Sequence, residues 1–384
     1  LLSSAVKEQM IADVPVGVLL SGGIDSSLIT SLMQKNSRKP INSFTVSFEE
    51  KEYNEANYAK NISKFLGTNH NDLRVQPEDA LDIIPNLPEF YDEPFGDSSQ
   101  IPTSLICKLT RQNVKVCLTG DAGDEFFGGY NRYFWVNSIW KHIGWIPASF
   151  RSPLFKFLKF IPAVYWNKML NLNINNIGDK IHKFSEVISA KNKTNLYHNL
   201  ITQWRGNLPL EGYEESFNNY FFENTIAHNK SFVERMMIMD TLTYLPDDIL
   251  VKLDRAAMSS SLETRVPFLD ERVMKFAWQI PLEQKINNGQ GKIILKKFLQ
   301  KFLPNEFVNR PKQGFAVPIE FWLRTCLRDW AEDLLSEKTL SESGMISIAP
   351  IRKLWSQHLN GVNHQSALWN VLMFQSWYKN NFNN

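Results

Sequence analysis

The chain has little cysteine, no long apolar run and almost no net charge. Its 384 residues contain three cysteines, Cys107, Cys117 and Cys326, too few for a disulfide framework and without the CxxC spacing of a zinc or redox pair. They read as buried thiols in a reducing compartment, which predicts a cytoplasmic protein. No stretch reaches the roughly 18 apolar residues that a membrane-spanning helix needs. Val16–Leu20 is too short for the core of a signal peptide, and Asp13 interrupts its approach. Lys and Arg number 42 against 40 Asp and Glu, a formal charge of +2, so the chain is not built mainly to bind nucleic acid. What remains is an ordinary globular composition, 43% hydrophobic and 21% charged. The length predicts two or three structural units.

The first third alternates strand and helix signals. Pro15–Leu20 is a short apolar run that ends at Ser21-Gly22-Gly23, and helical spacing continues from Ser26 to Gln34. Phe44–Phe48 predicts a second strand, Asn54–Leu66 a helix stopped at Gly67, Asn71–Val75 a third strand and Val114–Leu118 a fourth before Thr119-Gly120. This order predicts an α/β fold with a doubly wound parallel sheet. Ligands in such a sheet bind at the carboxyl ends of the strands, where both glycine turns lie. Segment 1–135 is expected as this core, 136–235 as a helical insertion rich in basic and aromatic residues, and 236–384 as a large helical part. From Phe126 to Gly178 there is no Asp or Glu, but six Lys/Arg (Arg132, Lys141, Arg151, Lys156, Lys159, Lys168) and four tryptophans (Trp135, Trp140, Trp145, Trp166). Pro147, Pro153 and Pro162 are expected to break it into short helices. The sequence holds no internal repeat, and its asparagine-rich end, Asn380–Asn384, is expected to fray.

The segment Ser21-Gly22-Gly23-Ile24-Asp25-Ser26-Ser27, between a strand and a helix, carries the sharpest chemical signal. Glycines let the backbone approach an anion, and a helix N-terminus supplies aligned N–H donors and a positive dipole. The hydroxyls add neutral donors, and Asp25 can hold a cation beside phosphates. The loop lacks the Lys-Ser/Thr pair of a Walker A motif and does not match GxGxxG. Its plainer reading is an N-capped helix after a glycine turn. Asp121, Asp124 and Glu125 put three carboxylates within five residues at the end of the fourth strand, expected to face the same edge. Carboxylates so placed hold Mg²⁺ against a polyphosphate, or form a solvated acidic turn.

Ser21–Ser27 resembles the pyrophosphate loop of the ATP pyrophosphatases, enzymes that cleave ATP between the α and β phosphates. Three further blocks narrow the resemblance: Leu118-Thr-Gly-Asp-Ala-Gly-Asp-Glu-Phe-Phe-Gly-Gly-Tyr130, Lys252–Met258 running into Leu262–Asp270, and Arg310-Pro-Lys-Gln-Gly-Phe315. Together they are similar to the synthetase domain of glutamine-hydrolysing asparagine synthetases, over nearly the whole chain and in the family's order. The resemblance implies an adenine-nucleotide alpha-hydrolase-like fold, ATP and Mg²⁺, and adenylation of a carboxylate followed by attack of ammonia to give an amide. It implies phosphate contacts from Ser21, Gly22, Gly23, Asp25, Ser26 and Ser27, and metal contacts from Asp25 and Asp124. It sets Thr119 and Gly120 at the ribose, and Leu20 and Val46 at the adenine, although both also read as strand core. Lys292 corresponds to a lysine that faces the α-phosphate, and Asp121 to the position that governs adenylate formation. Many asparagine synthetases have glutamate there, so the shorter Asp121 leaves the substrate open.

Aspartate is the first expectation for the carboxylate, with a sugar uronate or similar acid as the alternative; Asp92–Pro102 and Thr119–Asp124 look more like relatives placed in polysaccharide assembly. The glutaminase domain that supplies ammonia in the family is expected to be encoded upstream and absent here, and the full-length protein is expected to form a homodimer. A catalytically inactive nucleotide-binding partner is the non-enzyme reading, and binding of nucleic acid is not expected. Arg255, Arg265, Arg310 and Lys312 read either as site residues or as structural partners, and His70 as a packing or capping residue. Gly289–Gly291 and Arg310–Phe315 are candidate closing loops. The acid-free stretch 126–178 has two readings: a helical cover with its tryptophans in the core, or a segment in weak contact with a membrane surface.

Overall fold

The structure, a computed structural model, describes residues 1–48, 56–147, 149–151, 153, 158, 160–161, 165–166, 181, 185, 189–204, 208–212, 229–309 and 317–382. The chain opens with α1 (Leu2–Gln9), β1 (Val16–Leu19), α2 (Ile24–Asn36), β2 (Asn42–Phe48), α3 (Ala56–Leu66) and β3 (Asn69–Val75). It continues with α4 (Gln100–Asn113), β4 (Val116–Leu118), the short α5 (Gly123–Phe127), α6 (Arg132–Ile143) and α7 (Lys193–Ile201). A π-helical turn, Leu245–Leu250, leads into α8 (Val251–Ser259), then β5 (Glu263–Arg265), α9 (Glu271–Gln279), α10 (Ile293–Leu299), α11 (Ile348–Leu359) and α12 (Gln365–Phe382).

Among the described residues five strands form one sheet, all parallel, in the order β3-β2-β1-β4-β5. From β1 the chain steps outward to β2 and β3, then returns past β1 to β4 and β5. The order therefore reverses between β1 and β4, which opens a crevice at their carboxyl ends. Leu19 pairs in register with Phe44, and Val18 with Leu118. Val18, Leu118 and Phe44 are fully buried, as expected for central parallel strands covered on both faces. One core joins Val18 and Leu20 to Val6 of α1, Leu28, Ile29 and Leu32 of α2, Ile62 of α3 and Leu299 of α10. Burying each of the α2 side chains contributes about 1.5–3 kcal/mol relative to leaving it in water. On the opposite face α4 packs on β2 and α8 packs on α4. The doubly wound α/β fold is the one expected.

The sequence reading missed β5, because Glu-Thr-Arg is short and polar; it is a strand only through its pairing with β4. At the asparagine-rich end α12 continues to Phe382, and Asn383 and Asn384 lie outside the described residues. Cys107 and Cys117 are buried, but Cys326 is exposed, which corrects the expectation of three buried thiols. Among the described residues no helix is long and apolar enough to cross a membrane.

Two compact units are present: Leu1–Tyr130 with Met237–Ile319, and Asn131–Met236 with Glu320–Asn384. The part read from sequence as one helical segment, 236–384, is thus shared between them. In the second unit α6 packs on α7, whose first turn is capped by the Asn192 side chain accepting the Asn195 N–H at 2.8 Å. Trp322, Trp355 and Trp369 are fully buried in this unit, whereas Trp135 and Trp145 are exposed. Lys156, Lys159, Lys168 and Pro162 lie outside the described residues.

Candidate functional site

At the end of β1 the chain turns through Gly22, whose φ is +78°, into Gly23, the extended N-cap of α2. Ser21 and Ser26 hold this loop closed. The Ser21 N–H donates to Ser26 Oγ at 3.2 Å, the two hydroxyls lie 3.0 Å apart, and the Gly23 N–H donates to Ser21 Oγ at 3.2 Å. The first intrahelical bond runs from the Ser27 N–H to the Gly23 carbonyl at 3.0 Å. The N–H groups of Ile24, Asp25 and Ser26 precede it, in the first turn where a helix offers no intrahelical acceptor and an anion is favoured. Ser27 itself is buried in α2.

The neighbouring loop, Thr119–Glu125, leaves β4 beside it. The Thr119 N–H donates to the Arg265 carbonyl of β5 at 2.9 Å, which fixes where the loop starts. Ala122 takes a left-handed conformation (φ +67°), and α5 begins at Gly123. The two loops touch through their backbones. A Cβ on Gly120 would lie 2.7 Å from the Ser26 nitrogen, and one on Gly123 would lie 2.6 Å from the Asp25 carboxyl carbon. Any side chain at either position would push the loops apart.

Lys292 joins the loops. It sits in a left-handed conformation (φ +58°) at the N-cap of α10, and its N–H donates to the Phe127 carbonyl at 3.1 Å. Its side chain is 8% exposed; the ammonium pairs with Asp124 Oδ1 at 2.5 Å and with Asp25 Oδ2. Burial works against the charge, but Asp124 and Asp25 outweigh it and raise the pKa above the ordinary lysine value. Lys292 is therefore a fixed cation between two carboxylates, and three charges form a group of net −1. The donor set of Asp25 and Asp124 is all oxygen, and no cluster of three or more His, Cys, Asp or Glu able to hold a metal occurs among the described residues. Such a pair fits Mg²⁺ that takes its remaining ligands from phosphate and water, not a cage built by protein alone.

The three carboxylates expected to act together go to different partners: the left-handed Ala122 separates Asp121 from α5, and within α5 Asp124 and Glu125 are rotated by about 100° from one another. Asp124 meets Lys292. Glu125 is buried and accepts the Tyr130 hydroxyl at 2.5 Å; burial pushes its pKa up to about 7, against the pull of that hydrogen bond. Asp121 is half-buried, and burial raises its carboxyl above the ordinary range, with the Thr119 hydroxyl and Lys252 pulling the other way.

Lys252 belongs to a buried ion group that sequence reasoning missed. Its ammonium lies 2.5 Å from Asp97 Oδ2 and 3.3 Å from Asp248 Oδ1. Burial opposes its charge, yet the two carboxylates raise its pKa. The Asp97 carboxyl is held below its ordinary value despite burial by Lys252 and by two bonds from Ser99, while burial takes Asp248 up to about 6. The Tyr91 hydroxyl donates to the Lys252 carbonyl at 3.3 Å, and Arg255 pairs with Asp92 at 2.5 Å. Segment 91–99 is thus fastened to α8 at three points. The i,i+4 spacing of Asp248 and Lys252 was visible in the sequence; their link to Asp97, 155 residues away, was not.

The other expected residues divide. Leu20 and Val46 are buried in the sheet, Leu20 with its N–H on the Phe44 carbonyl at 2.8 Å. Arg265 donates to the Gln9 and Ile11 carbonyls at 2.7 Å each, tying α1 to β5, so its contacts are structural. His70 Nδ1 lies 3.0 Å from Ser43 Oγ on the next strand, the packing role expected. Arg310, Lys312 and the rest of the 310–315 motif lie outside the described residues.

The asparagine synthase family profile matches residues 1–379. Asparagine synthetase [glutamine-hydrolyzing] 1 of Bacillus subtilis is 31% identical over 98% of this chain and 58% of its own length. A putative asparagine synthetase [glutamine-hydrolyzing] of Mycobacterium tuberculosis is 31% identical over 98% of the chain and 56% of its own. Amidase chyE of Penicillium rubens is 24% identical over 90% of the chain and 55% of its own. The chain spans a little over half the length of these relatives.

Proposed function

Because the chain belongs to the asparagine synthase family, we propose that it is the synthetase part of an ATP-dependent carbon–nitrogen ligase that adenylates the side-chain carboxylate of aspartate and passes it to ammonia. The observation that carries this reading is the meeting of Ser21–Ser27, Asp124 and Lys292 at the crevice between β1 and β4. A carboxylate oxygen attacks the α-phosphorus of ATP and pyrophosphate leaves. Ammonia then attacks the acyl carbon, AMP departs with that oxygen, and a proton is released with asparagine.

The first-turn N–H groups of α2 and the serine hydroxyls hold the leaving pyrophosphate. Lys292, charged throughout the working pH range, stabilises negative charge as it builds on the phosphates. Thr119 and Gly120 border the ribose, and Leu20 and Val46 the adenine. Asp121, with its raised pKa, stands where the acyl group and the incoming ammonia meet. Mg²⁺ bound to Asp25 and Asp124 would offset phosphate charge. Closure against water protects the adenylate from hydrolysis. Ammonia would come from a glutaminase domain outside this chain, in a full-length cytoplasmic homodimer.

A second reading keeps the chemistry and changes the acid. Asp121 carries one methylene less than the glutamate common at this position, which leaves space for a sugar uronate in polysaccharide assembly. Pyrophosphate release from Mg·ATP and ammonium, with aspartate set beside a panel of uronates, separates the two. Release with aspartate and matching asparagine supports the first; release only with another acid supports the second; none with any acid refutes the ligase reading and leaves a nucleotide-binding partner.

A further inference from the structure

Charge is segregated along this nearly neutral chain. Between Phe126 and Leu210 there are eleven Lys/Arg and two acidic residues, Asp179 and Glu186, a net +9 in a protein of net +2. The rest of the same unit is not basic: 211–236 has two basic and five acidic residues, and 320–384 is balanced at six and six. The excess therefore belongs to one segment of the second unit.

That segment also exposes aromatic rings. Trp145 is 77% exposed, Phe150 73% and Phe160 85%, and Trp135 and Tyr165 are more than half exposed. No other described aromatic residue exceeds 70%. Helix α6 shows how this comes about. Tyr133, Val136 and Ile143 form its buried face, while Trp135, Ser138 and His142, at i, i+3 and i+7, share the outer one. Lys141 is exposed beside them, and Lys193 of α7 reaches across to donate to Asn137 Oδ1 at 3.1 Å. Neither α6 nor α7 contains an acidic residue. Arg151 takes no part, since it is buried over the Trp140 ring and donates to the Ala190 carbonyl at 2.7 Å.

Exposed Trp and Phe cost free energy in water and gain it at the boundary between lipid headgroups and acyl chains, where Lys also finds anionic phosphate. We infer that the surface formed by α6, α7 and the exposed rings of Trp145, Phe150 and Phe160 docks on an anionic lipid bilayer. A bilayer surface matches both halves of the pattern, the basic helices α6 and α7 without an acidic residue and the rings that stand out singly. Docking of this kind needs no spanning helix.

Vesicle flotation of the whole chain tests this, comparing neutral phosphatidylcholine vesicles with vesicles that include phosphatidylglycerol. Two variants accompany it: Trp145→Ser/Phe150→Ser/Phe160→Ser, which removes the rings, and Lys141→Glu/Lys193→Glu, which reverses charge. None of these residues belongs to the nucleotide site, and unchanged thermal melting checks that the variants fold. The expected result is retention on anionic vesicles that falls at least about tenfold on neutral ones, in high salt and in each variant. Absence of retention, or retention indifferent to lipid charge or to both variants, overturns the proposal. Salt-sensitive binding to single-stranded nucleic acid without vesicle retention, or self-association that the ring variant abolishes, overturns it in favour of that other occupant.

Discussion

Replacing Lys292 with methionine keeps the length of the side chain and removes the charge between Asp25 and Asp124. The structure gives two consequences of different size. Removing one member of a buried ion group costs about 3–5 kcal/mol, here toward the low end because both carboxylates retain some solvent contact. At roughly 2–4 °C per kcal/mol for a unit of this size, the melting temperature should fall by about 6–12 °C. The pyrophosphate-releasing reaction should slow by about 10²–10³, the usual cost of losing one fixed charge at a developing anion. The discriminating experiment is a double-mutant cycle with Asp124→Asn, read by thermal unfolding. Once Lys292 is gone, neutralising Asp124 relieves repulsion with Asp25, so the double variant should be more stable than additivity predicts by at least about 1 kcal/mol. Additive losses would mean that the ion pair does not hold the loops, and the reasoning would fail.

Gly120→Ala places a methyl 2.7 Å from the Ser26 nitrogen, so it should destabilise by about 1–3 kcal/mol and lower turnover by about 10², whereas Gly67→Ala, strained but open, should affect melting alone; equal activity losses would contradict the loop contact. Glu125 has a folded pKa raised to about 7 from 4.5, so the folded state holds the extra proton and its contribution falls as pH rises between those values. Glu125→Gln should remove up to about 3 kcal/mol of that fall, seen as a flatter melting temperature from pH 4.5 to 7. Lys252→Met unfastens segment 91–99 and should raise the KM for the carboxylate substrate more than for ATP, a split that kinetics with each substrate varied would show. A thiol reagent should label one cysteine in the native protein and three after denaturation, because Cys326 is exposed while burial takes Cys107 up to about 12.

Local chemistry made much of this legible in advance. The Ser21–Ser27 loop and the fourth strand announce themselves because glycine turns and apolar runs act over a few residues, and their order fixes a parallel sheet; Lys292 was singled out by the family resemblance alone. Long-range pairing was not legible. The Asp97–Lys252–Asp248 group depends on α8 meeting a segment 155 residues earlier, and β5 exists only as a partner of β4. The acidic run 121–125 misled for a geometric reason: residues adjacent in sequence diverge on a helical turn, so Glu125 reached Tyr130 instead of a shared metal site. Trp135 and Trp145, open to either reading in the sequence, proved exposed.

The central claim is that a substrate carboxylate becomes an adenylate at the β1–β4 crevice. Aspartate labelled with ¹⁸O in its side-chain carboxylate, incubated with the protein, Mg·ATP and ammonium, tests this directly. The account predicts AMP carrying one labelled oxygen for each asparagine formed. Unlabelled AMP, or asparagine accompanied by ADP and labelled inorganic phosphate, would contradict it.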